Sequence, residues 1–138
     1  METPTDSEGT TPRQVRILVV DDEPLLRQVL GRTLTMDGHQ VTAVASAEEA
    51  IESLASAPYD LVISDLGLGE GQNGWDLASH VQNSYPGICI GLVTGWGSQI
   101  DPAQTSERGV VAILSKPCRL ADLRALIAHC RELLSENQ

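Results

Sequence analysis

Carboxylates, a hydroxyl and an ammonium group stand at the ends of four of the five short apolar runs in this chain. Asp21-Asp22-Glu23 follows the first run, Asp65 follows the third, Thr94 follows the fourth, and Lys116 comes just after the fifth. If these runs are strands of a parallel sheet, their carboxyl ends meet at one edge and the polar side chains converge there. Two carboxylates about 5 Å apart repel each other by roughly 3 kcal/mol at an effective dielectric constant of about 20. Such a cluster raises a carboxyl pKa or binds a cation.

An all-oxygen site with few protein ligands suits Mg²⁺, which keeps several waters and favours phosphate oxygens. Lys116 and Thr94 would supply donors for a phosphoryl oxygen at the same place. Because no Ser–His or Cys–His pair accompanies the acidic cluster, a carboxylate is the expected acceptor. The residues therefore predict a site of phosphoryl transfer. Taken alone, the Asp21-Asp22-Glu23 run fits a solvated helix cap better than a functional site, and the groups at the other strand ends reverse that preference.

The apolar runs and the segments between them predict the elements that must position these groups. The runs cover residues 15–20, 41–45, 61–64, 88–93 and 110–114, and each is apolar on both faces, as is typical of strands buried in a parallel sheet. Helical patterns cover residues 23–36, 46–57, 74–84 and 120–134, and a weak pattern starts at Asp101. The weak pattern has almost no apolar face, which predicts a short, mobile helix. This alternation predicts an open, doubly wound α/β domain with helices on both faces.

Two details of the pattern are specific enough to compare with a structure. In the first helix, Leu25, Leu26, Val29, Leu30 and Leu34 form an apolar stripe that is expected to face the core. His39 and His80 have no base or nucleophile near them in the sequence, and we expect both at the surface.

The composition limits the classes of function. The chain has 138 residues, 41% of them hydrophobic, which predicts one packed domain over 14–138 after a disordered tail at 1–13. A net charge of −10 argues against a nucleic-acid partner. The polar N-terminus and the short apolar runs predict neither a signal peptide nor a membrane span, so a cytoplasmic location is expected. Three cysteines without paired spacing argue against a disulfide framework.

Five segments occur in order at the predicted strand ends: ILVVDDEP (17–24), DLVISDL (60–66), NGWDLA (73–78), LVTGWG (92–97) and LSKP (114–117). Together they resemble the receiver domain of response regulators in two-component signalling, of the chemotaxis-regulator type. The resemblance implies a flavodoxin-like fold, with a five-stranded parallel sheet of order 2-1-3-4-5.

The resemblance also implies roles for individual residues. Asp65 matches the phosphoaccepting aspartate, while Asp21 and Asp22 match the acidic pair that holds Mg²⁺, with Asp22 as a direct ligand. Gly67 would lend its backbone carbonyl to the metal, which Asp65 also binds.

On the remaining strand ends, Thr94 matches the hydroxyl that bonds the phosphoryl group. Lys116 matches the family's invariant lysine, before Pro117, whose preceding peptide bond is often cis. The implied donor is a histidine kinase or a histidine phosphotransfer protein, and the implied output is an unidentified protein partner. The chain would act as a switch rather than as an enzyme, catalysing only its own phosphorylation and dephosphorylation.

Some positions depart from the family pattern. The aromatic residue usual three positions before the lysine is Ile113, and Cys118 replaces the phenylalanine common after Lys-Pro. Arg119 is a poor N-cap for the last helix. These departures concern the output mechanism more than the chemistry. Trp96, two residues after Thr94, could shield an acyl phosphate from water.

Two other functions stay open. A degenerate receiver could serve as a phosphate-independent docking module. Alternatively, a Mg²⁺-dependent aspartyl phosphatase could use Asp21 or Asp65 as its nucleophile, but that would need a substrate pocket. The sequence is expected to be a single receiver without an output module, or a fragment of a longer protein such as a hybrid kinase.

Overall fold

The computed structural model describes residues 14–67, 73–95 and 109–136, with side chains up to 134. Five strands alternate with helices along this part of the chain. In order, they are β1 (Arg16–Val20), α1 (Pro24–Met36), β2 (Gln40–Val44), α2 (Ala47–Ser56), β3 (Leu61–Asp65), α3 (Gly74–Ser84), β4 (Cys89–Thr94), β5 (Val110–Ser115) and α4 (Leu120–Glu136). The predicted tail at 1–13, the weak helical pattern that starts at Asp101 and the predicted shield Trp96 lie outside the described residues.

The strands form one parallel sheet in the order β2-β1-β3-β4-β5, which confirms the predicted doubly wound topology. Two hydrophobic clusters cover the sheet, one on each face. Leu18, Val62 and Leu92 pack towards α2 and α3. Ile17, Ile63 and Val93 pack towards α1 and α4. Because each face is covered, the central strands β3 and β4 are buried along their whole length, as their continuous apolar sequence predicts.

The strand β2 and its place in the sheet agree with the prediction, but its predicted burial on both faces was wrong. Val41 and Val44 are half-buried, whereas Thr42 and Ala43 are exposed. The strand is apolar in sequence, yet it lies at the edge of the sheet beside β1. An edge strand has one neighbour and less helix above it, so a continuous apolar run does not by itself show that a strand is central.

The apolar stripe of α1 is also only partly buried. Leu34 is buried, Leu26 and Leu30 are half-buried, and Leu25 and Val29 are 69% and 50% exposed. The buried side of the helix is therefore narrower than the stripe, and apolar side chains remain at the surface beside the carboxyl end of β1.

His39 is buried, contrary to the prediction that it lies at the surface. It precedes β2, and its Nδ1 accepts a hydrogen bond of 3.1 Å from the backbone N–H of Val15. Burial lowers the pKa of His39, and the charge of Arg131 lowers it further. His80, in α3, is half-buried and makes an edge-on contact with Tyr85.

None of the helices in the described ranges is both long and apolar enough to cross a membrane.

Candidate functional site

The carboxyl end of β1 delivers two adjacent acidic residues to the edge of the sheet. Asp21 is buried and Asp22 is exposed. The Asp21 N–H continues the sheet ladder by donating to the Val44 carbonyl at 3.1 Å, and its Oδ1 accepts from the Glu23 N–H at 2.9 Å. These bonds fix the Asp21 carboxylate just before α1 begins. Arg27 of α1 adds a further constraint, because its Nη1 donates to the Asp21 carbonyl at 2.7 Å.

Asp65 is the last residue of β3, and its side chain is buried. Oδ1 accepts a hydrogen bond of 3.2 Å from the Gly67 N–H, and Oδ2 accepts one of 2.9 Å from Lys116 Nζ. Gly67 thus lies beside the carboxylate, two residues further along the chain. Among the described residues each carboxylate oxygen has one donor, which leaves lone pairs for a cation or an electrophile.

The last two strands bring in Thr94 and Lys116. Thr94 is buried at the end of β4, directly after Val93, the residue paired with Asp65. Its carbonyl accepts a hydrogen bond of 2.9 Å from the Lys116 N–H, which holds the residue after β5 against the end of β4. The Lys116–Pro117 peptide bond is cis. Lys116 reaches inwards from this point, and its side chain is 29% exposed.

The structure therefore brings together the three aspartates that the sequence predicts at one edge. One carboxylate oxygen from each of Asp21, Asp22 and Asp65 lies within 4.8 Å of the other two. Burial raises the pKa of Asp21 and the charge of Asp65 raises it further, while the Glu23 N–H and Lys116 act in the opposite direction. Burial alone would lower the pKa of Lys116. The hydrogen bond and charge of Asp65, with the charges of Asp21 and Glu23, outweigh burial and raise it.

A glycine that sequence analysis did not single out fixes the backbone around Asp65. Gly74 starts α3, and a Cβ on it would lie 2.8 Å from both the Asp65 carbonyl oxygen and Leu66 Cα. The Gly74 N–H donates to the Leu66 carbonyl at 2.9 Å. Asn73 and Asp76 form a capping box at the same point. The spacing of NGWD after Asp65 was the available signal, but only the tertiary contact explains the glycine.

A groove of about 350 Å³ opens beside the acidic cluster, between α1 and the segment after β5. Asp21 and Lys116 lie at its polar end. The remaining wall is mostly apolar and comprises Leu26, Val29, Leu30, Val93, Pro117 and Cys118. Cys118, which departs from the family pattern, is half-buried in this wall, and burial raises its pKa. Ile113, the other departure, packs against the core cluster on the α2 and α3 side.

Comparison with known proteins gives a consistent result. A family model for the response regulator receiver domain matches residues 17–128. Response regulator protein PilR of Pseudomonas aeruginosa is 34% identical over 118 residues, which cover 86% of this chain and 26% of the relative. Transcriptional regulatory protein GlrR of Escherichia coli K12 is 35% identical over 105 residues, covering 76% of this chain and 23% of the relative.

Solved structures agree with the sequence relatives. A CheY-like receiver domain protein from Methanospirillum hungatei has a TM-score of 0.81 at 26% identity, covering 90% of this chain and 99% of its own. Response regulator protein TrrA from Thermotoga maritima, in complex with Mg(2+)-BeF, has a TM-score of 0.76 at 26% identity, covering 85% and 99%.

The chain belongs to the response regulator receiver domain family of two-component systems, as the family match and the shared fold show. It spans about a quarter of the length of the curated relatives PilR and GlrR. The similarity therefore concerns their receiver part.

Proposed function

We propose that this receiver is a phosphorylation switch in which Asp65 accepts a phosphoryl group from a phosphohistidine. The observation that carries the proposal is the position of the Asp65 carboxylate, held 2.9 Å from Lys116 Nζ and within 4.8 Å of two further carboxylates. This arrangement combines a nucleophile, a fixed positive charge and a strongly negative pocket at one edge of the sheet.

The donor set fits Mg²⁺. Three carboxylates within 4.8 Å offer hard oxygen ligands. The pKa of Asp21 is raised first by burial and then by the charge of Asp65, and a bound cation would favour the ionised carboxylate against both. We propose Asp21, Asp22, Asp65 and the Gly67 carbonyl as the ligand set. Bound there, Mg²⁺ would offset the negative charge of the transferring phosphoryl oxygens. The relative TrrA, solved in complex with Mg(2+)-BeF, supports this assignment.

The chain's own groups account for the rest of the reaction. An Asp65 carboxylate oxygen attacks phosphorus in line, a P–O bond forms, and the P–N bond to the donor histidine breaks. Lys116 is already paired with this carboxylate, so its ammonium group is within reach of the phosphoryl oxygens once the phosphoryl group is bonded to Asp65. We propose that the Thr94 hydroxyl also bonds the phosphoryl group. The acyl phosphate formed is later hydrolysed by water at the same site.

The proposed donor is a histidine kinase or a histidine phosphotransfer protein, and the proposed output is a protein contact. The apolar wall of the groove next to Asp21 and Lys116, together with exposed Leu25 and Val29, suits a protein surface better than a small phosphate ester.

A net charge of −10 is unsuited to direct nucleic-acid binding by the receiver itself. Relatives such as GlrR are named transcriptional regulators, so a DNA-binding output would belong to another part of a longer protein. The cytoplasmic location expected from the sequence stays a prediction.

The proposal is tested by intact-mass measurement after incubation with Mg²⁺ and a small acyl phosphate donor. We expect one added phosphoryl group in the wild type and none in Asp65→Asn or after chelation of the metal. An Asp76→Asn variant is the matched control, because the Asp76 carboxylate accepts from the Asn73 N–H in the capping box of α3 and lies outside the acidic cluster. Equal phosphorylation of the wild type and Asp65→Asn would reject Asp65 as the acceptor.

The same experiment separates the two alternatives. A phosphate-independent docking module would gain no mass, and Asp22→Asn would not weaken its Mg²⁺ binding, whereas the switch would lose Mg²⁺ affinity with this ligand. An aspartyl phosphatase would release inorganic phosphate from external phosphomonoesters over many turnovers, whereas a switch releases at most the phosphate that it accepted.

A further inference from the structure

Two buried cysteines meet at the end of the sheet opposite the acidic cluster. Cys89 begins β4, Cys130 lies in α4, and both belong to the core cluster on the α1 and α4 side. The Asp60 carbonyl oxygen accepts a hydrogen bond of 3.0 Å from the Cys89 N–H and one of 3.5 Å from the Cys130 thiol. The Cys89 Sγ in turn lies 4.0 Å from the Cys130 carbonyl oxygen. The Cys89 sulfur therefore lies against the backbone of Cys130. The Cys130 thiol and the Cys89 N–H share the same acceptor, the Asp60 carbonyl.

Close packing of α4 on β4 explains this proximity. A Cβ on Gly91 would lie only 2.8 Å from a Leu126 methyl group, so the glycine lets the helix approach the strand. Cys89 is two residues before Gly91, on the same face of the strand, and Cys130 is one helical turn after Leu126. The contact between Cys89 and Cys130 is therefore adjacent to the contact between Gly91 and Leu126 in the interface of β4 with α4.

The two thiols differ in character. The neighbouring Cys130 thiol lowers the pKa of Cys89, although burial opposes this, and the Cys89 thiol acts with burial to raise the pKa of Cys130. Cys89 also keeps a small exposed fraction of 7%, whereas Cys130 has none. The thiolate is the reactive form of cysteine, so Cys89 is the expected first nucleophile.

We propose that Cys89 and Cys130 form a redox-modification site that peroxide converts to an intramolecular disulfide, fastening α4 to the start of β4. Cys89 sulfur first attacks a peroxide oxygen, the O–O bond breaks, and sulfenic acid and one water form. Cys130 sulfur then attacks the Cys89 sulfur, the S–O bond breaks, and a second water leaves with the Cys130 proton. Both sulfurs are oxidised, and hydrogen peroxide is reduced to two waters.

The disulfide would close a loop across a sequence separation of 41 residues. Constraining a loop of this length in the unfolded chain predicts a rise in melting temperature of roughly 10 °C, reversed by a thiol reductant. The bond lies at the end of β4 away from Asp65, so the proposal does not depend on the phosphorylation chemistry.

The test treats the folded full-length chain with hydrogen peroxide, blocks remaining thiols with an alkylating agent and maps peptides without reduction. We expect a peptide that links Cys89 to Cys130, with Cys118 alkylated, and the same link in Cys118→Ser, which is the matched control. In Cys130→Ala, folding being checked by circular dichroism, Cys89 should instead be trapped as sulfenic acid by dimedone. Three unmodified thiols after treatment, a link that forms only in urea, or a link that always includes Cys118 would each overturn the proposal.

Discussion

Replacing Lys116 with methionine removes the positive charge that faces the acidic cluster while keeping a side chain of similar length. Lys116 is the only lysine in the 138 residues, and its Nζ lies 2.9 Å from Asp65 Oδ2. Without it, three carboxylates within 4.8 Å of one another have no ammonium group beside them. We expect Lys116→Met to destabilise the metal-free protein and, at the same time, to strengthen its binding of Mg²⁺.

The distances set the size of the effect. At an effective dielectric constant of about 20, the ion pair at 2.9 Å is worth about 6 kcal/mol of Coulomb energy. Each pair of carboxylate oxygens, at most 4.8 Å apart, is repelled by at least about 3.5 kcal/mol on the same scale. Partial exposure of Lys116, and protonation of a carboxyl group in its absence, reduce the net cost. We therefore expect a loss of about 2–4 kcal/mol in the free energy of unfolding at neutral pH.

Urea denaturation with chelator and with Mg²⁺ measures both parts of this prediction. Mg²⁺ should stabilise Lys116→Met more than the wild type, because the bound cation no longer meets the lysine charge. Phosphorylation of Asp65 should nevertheless fall. Arg124→Met is the matched control, since its ion pair with Asp37 is equally short, at 2.8 Å, but solvent-exposed and remote from the metal ligands. The reasoning is refuted if Lys116→Met loses no stability in chelator, or if Mg²⁺ stabilises it no more than it stabilises Arg124→Met.

Three further predictions follow from single contacts. Asp21→Asn should raise the free energy of unfolding of the metal-free protein by about 1–2 kcal/mol, since it removes a buried charge with a raised pKa, yet calorimetric titration should show weaker Mg²⁺ binding. Gly74→Ala should cost about 1–3 kcal/mol in urea denaturation, because its Cβ meets backbone at 2.8 Å, whereas Gly31→Ala, with nothing within 4 Å, should be neutral or stabilising. Because the folded pKa of His39 is below its unfolded value of 6.5, the unfolded state binds more protons in acid. Stability should therefore be fully present above about pH 7 and fall as the pH drops below 6.5, a slope that His39→Gln should remove in urea denaturation at each pH.

The central strands could be predicted from sequence because burial on both faces leaves a continuous apolar run, whereas the order of the strands was implied by the family resemblance. This holds for β3 and β4, whose bounds differ from the predicted ones by a residue at most at either end. It fails for β2, which has the same kind of sequence but lies at the edge, since strand position depends on the neighbours and not on the run itself. The exposure of Leu25 and Val29 in α1 has a similar cause. Hydrophobic periodicity shows which face of a helix packs on the sheet, but it does not show how much of that face the sheet covers.

The approach of the acidic residues was predictable because parallel strands end at one edge, so residues far apart in sequence share a position in space. The contacts that hold these acidic residues in place could not be predicted from the sequence. Arg27 donates to the Asp21 carbonyl across the turn into α1, and Gly74 lies against the Asp65 carbonyl, and both contacts depend on the folded backbone. His39 was misjudged for the same reason, since its partner is the backbone N–H of Val15, 24 residues away.

The central claim is that one particular carboxylate of the cluster, that of Asp65, accepts the phosphoryl group. Borohydride reduction tests it most directly, because it converts an aspartyl phosphate to homoserine and so marks the residue that carried it. After phosphorylation with Mg²⁺ and an acyl phosphate donor, reduction and peptide sequencing should find homoserine at position 65, and none when the metal is chelated. Homoserine at position 21 or 22 instead, or at no position in a protein shown to bind Mg²⁺, would contradict the account.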